Sequence, residues 1–422
     1  MVIKRTPPRY PRRGPSCLLV LFVIFGLAVT LFVIQNADEV RDVIIPTPTP
    51  EPTRSATEYA LLAEISQKDG GTVEAIGYYR QALRLDATKP EIYIRYIELL
   101  VDYSCPSMDV GTSGETINCV EEALARSEEA IVLAPDNPRV WTAVAAAYMA
   151  NGSRLLDAGD PNGANLEFAQ AVTAAERAID LNNNDPTALS TAYAYTAGGL
   201  VAQRKPELLQ DAQIQAETAI TLDPNNALAR YYMGQVFTMQ AFYSAAREQF
   251  QLGLQSNPNF ADLYIEMAYN SFANSRIPEA IIWFKDALKV DPNNAAAYDG
   301  LAYMYLQLGD DVQAEENALQ SVTLNPNVAR AHGRLGEAYM RNNKFDLAIE
   351  EFTKATTLYG APTETNARFF YLLADAYIRA GLQNCPQAIP LLQAVTEKNQ
   401  FYGELAQQYL LDCRRAVLEG SQ

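Results

Sequence analysis

The chain contains a single histidine, His332, among its 422 residues, and this scarcity limits the chemistry it can perform. Most acid–base, nucleophilic and zinc-dependent reactions use histidine side chains. The five cysteines form no Cys-x-x-Cys motif, which excludes the usual zinc-ribbon and thioredoxin-type patterns. The sequence also contains neither a Gly-x-Ser-x-Gly motif nor a glycine-rich phosphate-binding loop. The sequence therefore predicts a protein that is not an enzyme and that uses no cofactor and no metal.

Positive charge is scarce as well. The chain has 33 Lys and Arg residues against 50 Asp and Glu residues, which gives a formal net charge of -17. Nucleic-acid binding depends largely on Lys and Arg at phosphates, so we expect no nucleic-acid partner. Hydrophobic residues make up 49% of the chain, which excludes wholesale disorder.

The N-terminal region contains the longest apolar run, CLLVLFVIFGLAVTLFVI at residues 17–34. The tail before it carries five Lys or Arg residues and no acid, whereas acidic residues follow it. This pattern predicts a basic cytoplasmic tail at 1–15 and a transmembrane signal-anchor helix at 16–36. We therefore expect a single-pass cell-membrane protein whose lipid bilayer contact is this helix and whose C-terminal domain is extracytoplasmic. A cleaved signal peptide is the alternative, but cleavage near Ala28 would leave an apolar mature start.

A Pro/Thr-rich linker is expected at residues 37–55. Prolines alternate with other residues from Pro46 to Pro52. Alternating prolines fix φ and favour the extended polyproline II conformation. The linker therefore marks a domain boundary.

A 34-residue period governs the rest of the chain. Pro224, Pro258, Pro292 and Pro326 are each one period apart, and alanines and aromatics keep the same register. Apolar residues at unit positions 4, 7, 8 and 11 form one face of a first helix, and those at 20, 24 and 27 form one face of a second. Proline ends the second helix. Neither helix can bury its apolar face alone, so neighbouring units must stack.

This pattern resembles the tetratricopeptide repeat family, whose Trp-like, Leu-Gly, Tyr, Ala, Phe, Ala and Pro positions fall at the same offsets. The resemblance implies an all-α, right-handed α-solenoid of about nine helix-turn-helix units at 56–401, followed by a capping helix and tail at 402–422. The expected units lie near 56–89, 90–137, 138–185, 186–226, 227–260, 261–294, 295–328, 329–362 and 367–399. Units two, three and four exceed the period, which longer helices or protruding loops would explain. Either a function or sequence drift at a tolerant site could account for the surplus.

The remaining cysteines form two local pairs. Cys105 and Cys119 flank the surplus segment of unit two, and Cys385 and Cys413 join the last unit to the terminal helix. In an extracytoplasmic domain we expect both pairs to form disulfides. Buried free thiols are the alternative.

Two other features, the single histidine and the Asp-Pro-Asn-Asn strings, could be taken for chemical or metal-binding sites. His332 occupies unit position 4, where the family has Trp or Tyr, and we expect it to be a packing residue. The Asp-Pro-Asn-Asn strings at 223–226 and 291–294 lack the spacing of a calcium-binding loop and consist of ordinary turn residues.

Surface binding remains as the expected function. In the family, positions 2, 5, 9 and 12 of each first helix line a concave groove. At these positions the candidate partner-binding residues are Tyr231, Gln235, Asp262, Tyr269, Phe272, Asp299, Tyr303, Arg330 and Glu337. Tyr269 and Tyr303 either form an exposed stripe or pack against neighbouring first helices. The Lys and Asn residues of the family's chaperone-tail clamp are absent.

The resemblance implies a non-catalytic scaffold or adaptor, tethered to the membrane, that binds partner proteins or peptides on the concave face. Two alternatives stay open. One is a chaperone-like holder of exported clients. The other is an accessory glycan-binding subunit of an envelope enzyme, with tyrosines stacking on sugars.

Overall fold

The computed structural model describes residues 17–35, 54–103, 108–110, 115–181 and 185–419. The chain divides into two compact units, Met1–Ser55 and Ala56–Gln422. The first unit contains helix α1 (Cys17–Gln35). The predicted basic tail and residues 37–53 of the predicted linker lie outside the described residues.

The predicted membrane anchor is wrong. Within the described part of the chain, no helix combines the length and the apolar character needed to cross a bilayer. The expected single-pass placement in the cell membrane, with its cytoplasmic tail, extracytoplasmic domain and bilayer contact, is therefore withdrawn.

The second unit is an array of helices that succeed one another in pairs. Each first helix packs against the second helix of its own pair, and each second helix packs against the first helix of the following pair. The pairs are α2 (Ala56–Lys68) and α3 (Thr72–Leu85); α4 (Pro90–Tyr103) and α5 (Cys119–Leu133); α6 (Pro138–Asp157) and α7 (Pro161–Asp180); α8 (Pro186–Ala202) and α9 (Leu209–Leu222); α10 (Ala227–Met239) and α11 (Tyr243–Ser256); α12 (Ala261–Ala273) and α13 (Ile277–Val290); α14 (Ala295–Leu308) and α15 (Asp311–Leu324); α16 (Ala329–Arg341) and α17 (Phe345–Tyr359); and α18 (Ala367–Ala380) and α19 (Cys385–Thr396). The last helix is α20 (Gln400–Glu419). The all-α solenoid expected from the sequence is confirmed.

Small residues at fixed positions explain the close packing within a pair. Ala280 and Ala287 of α13 are fully buried and flank the buried ring of Phe284. On the facing first helix the small residue is Ala268, also fully buried. The same arrangement recurs at Ala348, Phe352 and Ala355 in α17. Buried alanines allow close helix contact, and the phenylalanine fills the remaining space.

The turn between the two helices of a pair has a recurrent conformation. Position 15 adopts positive φ in four consecutive pairs, at Ala241, Ser275, Gly309 and Asn343. A left-handed residue at this point ends the first helix. The second helix then starts within three residues.

The Asp-Pro-Asn-Asn strings connect one pair to the next. Asp223 accepts a hydrogen bond from the backbone N–H of Asn225 at 3.0 Å. Asn226 then caps α10 by accepting from the N–H of Ala229 at 3.0 Å. Asp291 and Asn294 repeat both contacts before α14. These carboxylate and amide oxygens serve as turn and helix-cap acceptors.

Units two and three depart from the regular pair in different ways. In unit two, strands β1 (Met108–Val110) and β2 (Glu115–Ile117) pair antiparallel between α4 and α5. In unit three the surplus lengthens both helices, α6 and α7, to 20 residues each. In unit four a short 3-10 helix, Pro206–Leu208, precedes α9.

One of the two expected disulfides lies within the described residues. Cys385 and Cys413 are bonded, with a Cα–Cα distance of 5.2 Å, and both are fully buried. The bond ties α20 to α19. Cys119 is also disulfide-bonded, whereas its expected partner Cys105 lies outside the described residues.

Candidate functional site

The first helices lie on the inner side of the curved array. Arg330 of α16 comes within 3.9 Å of Asp157 of α6, five units earlier. The charge of Asp262 in α12 likewise acts on Asp102 in α4, four units earlier. Residues so far apart in a linear array approach each other only on the inside of its curve. We define the inner face as the surface formed by α4, α6, α8, α10, α12, α14 and α16.

Arginines occupy the inner face at its C-terminal end. Asp299, which is only 2% exposed, accepts a hydrogen bond from Arg330 at 3.0 Å and also contacts Arg334. One unit later, Glu337 accepts from Arg341 at 3.3 Å and from Arg368 at 2.5 Å. The contacts of Arg330, Arg334 and Arg368 connect successive first helices, whereas the Arg341–Glu337 pair lies within α16. The candidate residues Asp299, Arg330 and Glu337 are thus engaged in joining units to one another.

The candidate aromatic residues pack between neighbouring helices. Phe272 and Tyr303 meet edge to face, with their ring centroids 5.3 Å apart. The guanidinium of Arg334 lies over the Tyr303 ring at 4.6 Å. Tyr269 meets Phe284 edge to face at 5.2 Å. Each ring has a partner of its own, and no ring contact between Tyr269 and Tyr303 occurs among the described residues.

Carboxylates without a cation partner occupy the central part of the inner face. Asp102 and Asp262 are exposed and Glu266 is half-buried. None of the three lies within 4 Å of a Lys or Arg nitrogen in the part of the chain that the structure describes. We call these three residues the acidic group. They contrast with the paired carboxylates of units seven and eight.

Crowding by the surrounding helices disfavours the charged forms of the acidic group. Desolvation raises the pKa of Asp102 to about 6, with added repulsion from Glu98 and Asp262. Desolvation likewise raises the pKa of Asp262 to about 6, and repulsion from Asp291 adds to it. For Glu266, desolvation and repulsion from Asp262 outweigh the hydrogen bond from Gln235 and the more distant attraction of Arg204, and raise the pKa to about 7. A carboxylate in such surroundings gains from a nearby positive charge.

Hydrogen-bonding groups adjoin these carboxylates. The amide of Gln235 donates to Glu266 at 2.8 Å and to the Tyr231 hydroxyl at 2.9 Å. Tyr231 also contacts the rings of Tyr232 and Phe260. Desolvation, and then the charges of Glu266 and Asp262, raise the pKa of Tyr231. The candidates Tyr231, Gln235 and Asp262 therefore share one region with Glu266.

Sequence reasoning missed Asp102, Glu266, Asp157 and Arg334. Glu266 and Arg334 occupy unit position 6, which lies beside the groove positions but outside their pattern. Asp102 and Asp157 come from units whose lengths break the 34-residue register. An i, i+4 pair of acids, Glu98 and Asp102, was the available signal.

Comparison with known proteins agrees with the repeat architecture. Three models of the tetratricopeptide repeat match the chain, at residues 59–91, 265–329 and 329–362. The chain is a tetratricopeptide-repeat protein. The matched segments include the helices that carry Tyr269, Asp299 and Arg330.

Two curated relatives are longer proteins, and the matches cover only part of them. Anaphase-promoting complex subunit 3 of Schizosaccharomyces pombe is 27% identical over 241 residues, which is 57% of this chain and 33% of that protein. Hsp70-Hsp90 organizing protein 2 of Arabidopsis thaliana is 25% identical over 119 residues, 28% of this chain and 21% of that protein. The chain thus matches a third or less of the length of these relatives.

A solved structure shows the same fold. A chain in the crystal structure of the APC/C hetero-tetramer Cut9-Hcn1 aligns with 90% of this tetratricopeptide-repeat chain and 82% of its own length. The TM-score is 0.53 and the sequence identity is 14%. This similarity concerns the solenoid fold alone.

Proposed function

We propose that the chain is a non-catalytic scaffold for partner proteins. The inner face of its solenoid binds an extended segment of the partner. The observation that carries the proposal is the difference between the two parts of that face. Carboxylates in units seven and eight are joined to arginines, whereas the acidic group has no cation partner among the described residues. A surface that retains charged groups at a cost in desolvation is suited to a ligand that neutralises them.

The chemistry of the acidic group identifies the partner class. Asp102 lies across the curve from Asp262, and Glu266, on the same helix as Asp262, accepts a hydrogen bond from the amide of Gln235. Lys and Arg side chains would supply the missing cations, and Tyr231 would contact their alkyl chains. A Lys/Arg-rich segment in extended conformation fits this surface.

The names of two relatives support a role in assembly. One is a subunit of the anaphase-promoting complex and the other is an organizing protein for Hsp70 and Hsp90. A solenoid offers many parallel positions along one face, which suits stoichiometric binding. This proposal includes the nine unit boundaries and the nine candidate partner-binding residues that were predicted from the sequence.

The glycan-binding alternative gains no support. Sugars stack on an open aromatic face, and Arg334 covers one face of Tyr303. No observation on the inner face favours a chaperone-like holder over a scaffold.

Fluorescence anisotropy with a labelled Lys/Arg-rich peptide tests the proposal. The full chain should bind it, and binding should weaken as salt rises. The triple variant Asp102→Asn, Asp262→Asn, Glu266→Gln should lose most of this affinity. An acidic peptide of equal length should not bind.

A matched variant controls for net charge. Glu176, Glu248 and Asp346 are exposed on second helices. Glu176→Gln, Glu248→Gln and Asp346→Asn together remove the same charge from another face. Equal loss of affinity in both triple variants would refute binding at the acidic group.

A further inference from the structure

The third helix pair is longer than the others. The turn between its two helices therefore lies farther along the helix axes than the turns of the regular pairs. Helices α6 and α7 have 20 residues each, whereas α14 and α15 have 14 each. Six additional residues extend a helix by about 9 Å. The added turns surround residues 157–160, which join α6 to α7. We call residues 157–160 the strap.

The strap reaches the eighth helix pair. A Cβ atom added to Gly159 would lie 2.8 Å from Cδ1 and 3.2 Å from Cα of Tyr359, at the end of α17. Gly159 adopts φ +84°, a conformation that favours glycine. The backbone of the strap therefore lies directly against Tyr359, with no room for a side chain between them.

An ion pair accompanies this backbone contact. Oδ1 of Asp157 lies 3.9 Å from a terminal guanidinium nitrogen of Arg330 in α16. Arg330 is held in place from the other side, because its Nε donates to Asp299 at 3.0 Å. Asp299 is almost fully buried. Arg330 thus lies between a carboxylate of its own neighbourhood and a carboxylate of the strap.

Tyr359 is itself fixed by packing. Its ring stacks on Phe369 of α18, with centroids 5.7 Å apart and an interplanar angle of 13°. Both groups that meet the strap, Arg330 and Tyr359, are therefore positioned by residues outside the strap. The contact joins two surfaces that are already formed.

We propose that the strap closes the inner face by docking on Arg330 and Tyr359, and that a partner segment reaches the acidic group only when the strap opens. The lengthened third unit is then a gate across the curve of the solenoid. The ion pair that accompanies the contact is long, at 3.9 Å, and both of its side chains are partly exposed, so it opposes opening only weakly. The closure is a property of the free chain, whereas its effect on partner entry rests on the proposed function.

A pair of glycines provides a matched test. Gly159→Ala places a methyl group against Tyr359. Gly309→Ala is the control, because Gly309 also has positive φ, at +76°, in the turn between two helices, but nothing lies within 4 Å of its Cβ position. Both variants strain the backbone alike, and only the first obstructs the contact.

Spin labels report the closure directly. Labels at Ser153→Cys in α6 and Thr357→Cys in α17, both exposed positions, would be placed in a Cys17→Ser background. Double electron–electron resonance should give one narrow, short distance distribution in the full chain and in Gly309→Ala. Gly159→Ala should shift it to longer distances, and Asp157→Asn should broaden it. Identical distributions in Gly159→Ala and Gly309→Ala, or a broad distribution in the parent chain, would overturn the closure.

A kinetic measurement tests gating separately. The Lys/Arg-rich peptide should associate several-fold faster with Gly159→Ala than with the parent chain, and at the parental rate with Gly309→Ala. Equal rates in all three proteins would contradict gating and leave the distance result standing. Failure of the peptide to bind any of them would count against the proposed function, whereas the label distances would still decide whether the strap closes. Circular dichroism would exclude unfolding of either glycine variant.

Discussion

At the scale of single residues, His332 shows how one position can change chemistry and keep its contact. At unit position 4, Trp141 donates to the carbonyl of Pro135 at 2.7 Å and Tyr264 to that of Pro258 at 3.0 Å. Nε2 of His332 makes the equivalent contact with Pro326 at 2.9 Å. In these three units the side chain at position 4 packs as expected and also contacts a carbonyl oxygen that precedes the first helix.

His332 adds a second contact that Trp and Tyr lack. Its Nδ1 lies 2.6 Å from Oε2 of Glu351, and both residues are nearly buried. The ring therefore lies between two oxygen acceptors, the Pro326 carbonyl and the Glu351 carboxyl group. Burial opposes ionisation of Glu351, but hydrogen bonds from His332 and Lys354 lower its pKa below the usual value.

His332→Ala should therefore destabilise the fold by about 3 kcal/mol, because it leaves a buried carboxylate with one partner fewer. Since the pKa of Glu351 is lowered in the folded state, the stability it contributes should be present near neutral pH and disappear as pH falls through that lowered value. Chemical denaturation over a range of pH measures both effects. A loss no greater than that of Thr353→Ala, at an exposed site, would refute the structural role of the pair.

The acidic group should have the opposite effect on stability. The pKa of Asp262 is raised to about 6 in the folded chain, so folding takes up protons and stability increases as pH falls from about 7 towards the unfolded value of about 4. Asp262→Asn should accordingly raise the free energy of unfolding at pH values above 7. Glu337→Gln should lower it, since Glu337 pairs with Arg341 and Arg368. Equal destabilisation by both variants in urea titrations would contradict the distinction between unpaired and paired carboxylates.

At the scale of helices and helix pairs, stability depends on how closely the second helix of one pair approaches the first helix of the next. Gly300 lies on α14 where a Cβ atom would come within 2.2 Å of the buried Phe284 ring. The contact explains why some first helices accept glycine despite its low helix propensity. The ring of the neighbouring second helix occupies the space of a side chain.

Gly300→Ala should destabilise the protein by about 1–3 kcal/mol, because an added methyl group forces the Phe284 ring to move. Gly77 is the control, since it lies within helix α3 with nothing within 4 Å of its Cβ position. Gly77→Ala should be neutral or stabilise by up to about 1 kcal/mol. Thermal unfolding midpoints that are both above, or both below, the midpoint of the parent chain would contradict this interpretation.

The terminal helix depends on a covalent link as well as on packing. The Cys385–Cys413 disulfide has a sequence separation of 28, and a loop of that size is worth roughly 3–4 kcal/mol in the chain-entropy model. Replacing both cysteines with alanine should increase hydrogen exchange in α20 more than in α12. Unchanged exchange in α20 would show that its apolar contacts, among them Leu410, suffice to hold it.

At the scale of the whole molecule, the sequence predicts what repeats and fails where contacts span several units. The prolines and alanines of the 34-residue period predict the helix pairs, since each pair depends only on its neighbours. The contact between Asp157 and Arg330 depends instead on the accumulated curvature of five units, which no local pattern encodes. Asp102 and Asp262 likewise come together across four units, so no local sequence pattern predicts the acidic group.

The misjudged features have physical causes as well. An apolar run at residues 17–34 predicts a membrane anchor from hydropathy alone, yet no described helix qualifies as a membrane span. The nine candidate residues all lie on first helices, and their contacts with charged neighbours differ. Asp299 and Glu337 join units, whereas Asp262 has no cation within reach among the described residues.

Hydrogen–deuterium exchange of the full chain, with and without the Lys/Arg-rich peptide, tests binding on the inner face most directly. Saturating peptide should slow exchange in α4, α10 and α12, which carry the acidic group and Gln235, and should leave α11, α13 and α15 unchanged. The triple variant of the acidic group should show neither change. Slowed exchange confined to the second helices, or none at saturation, would contradict the account.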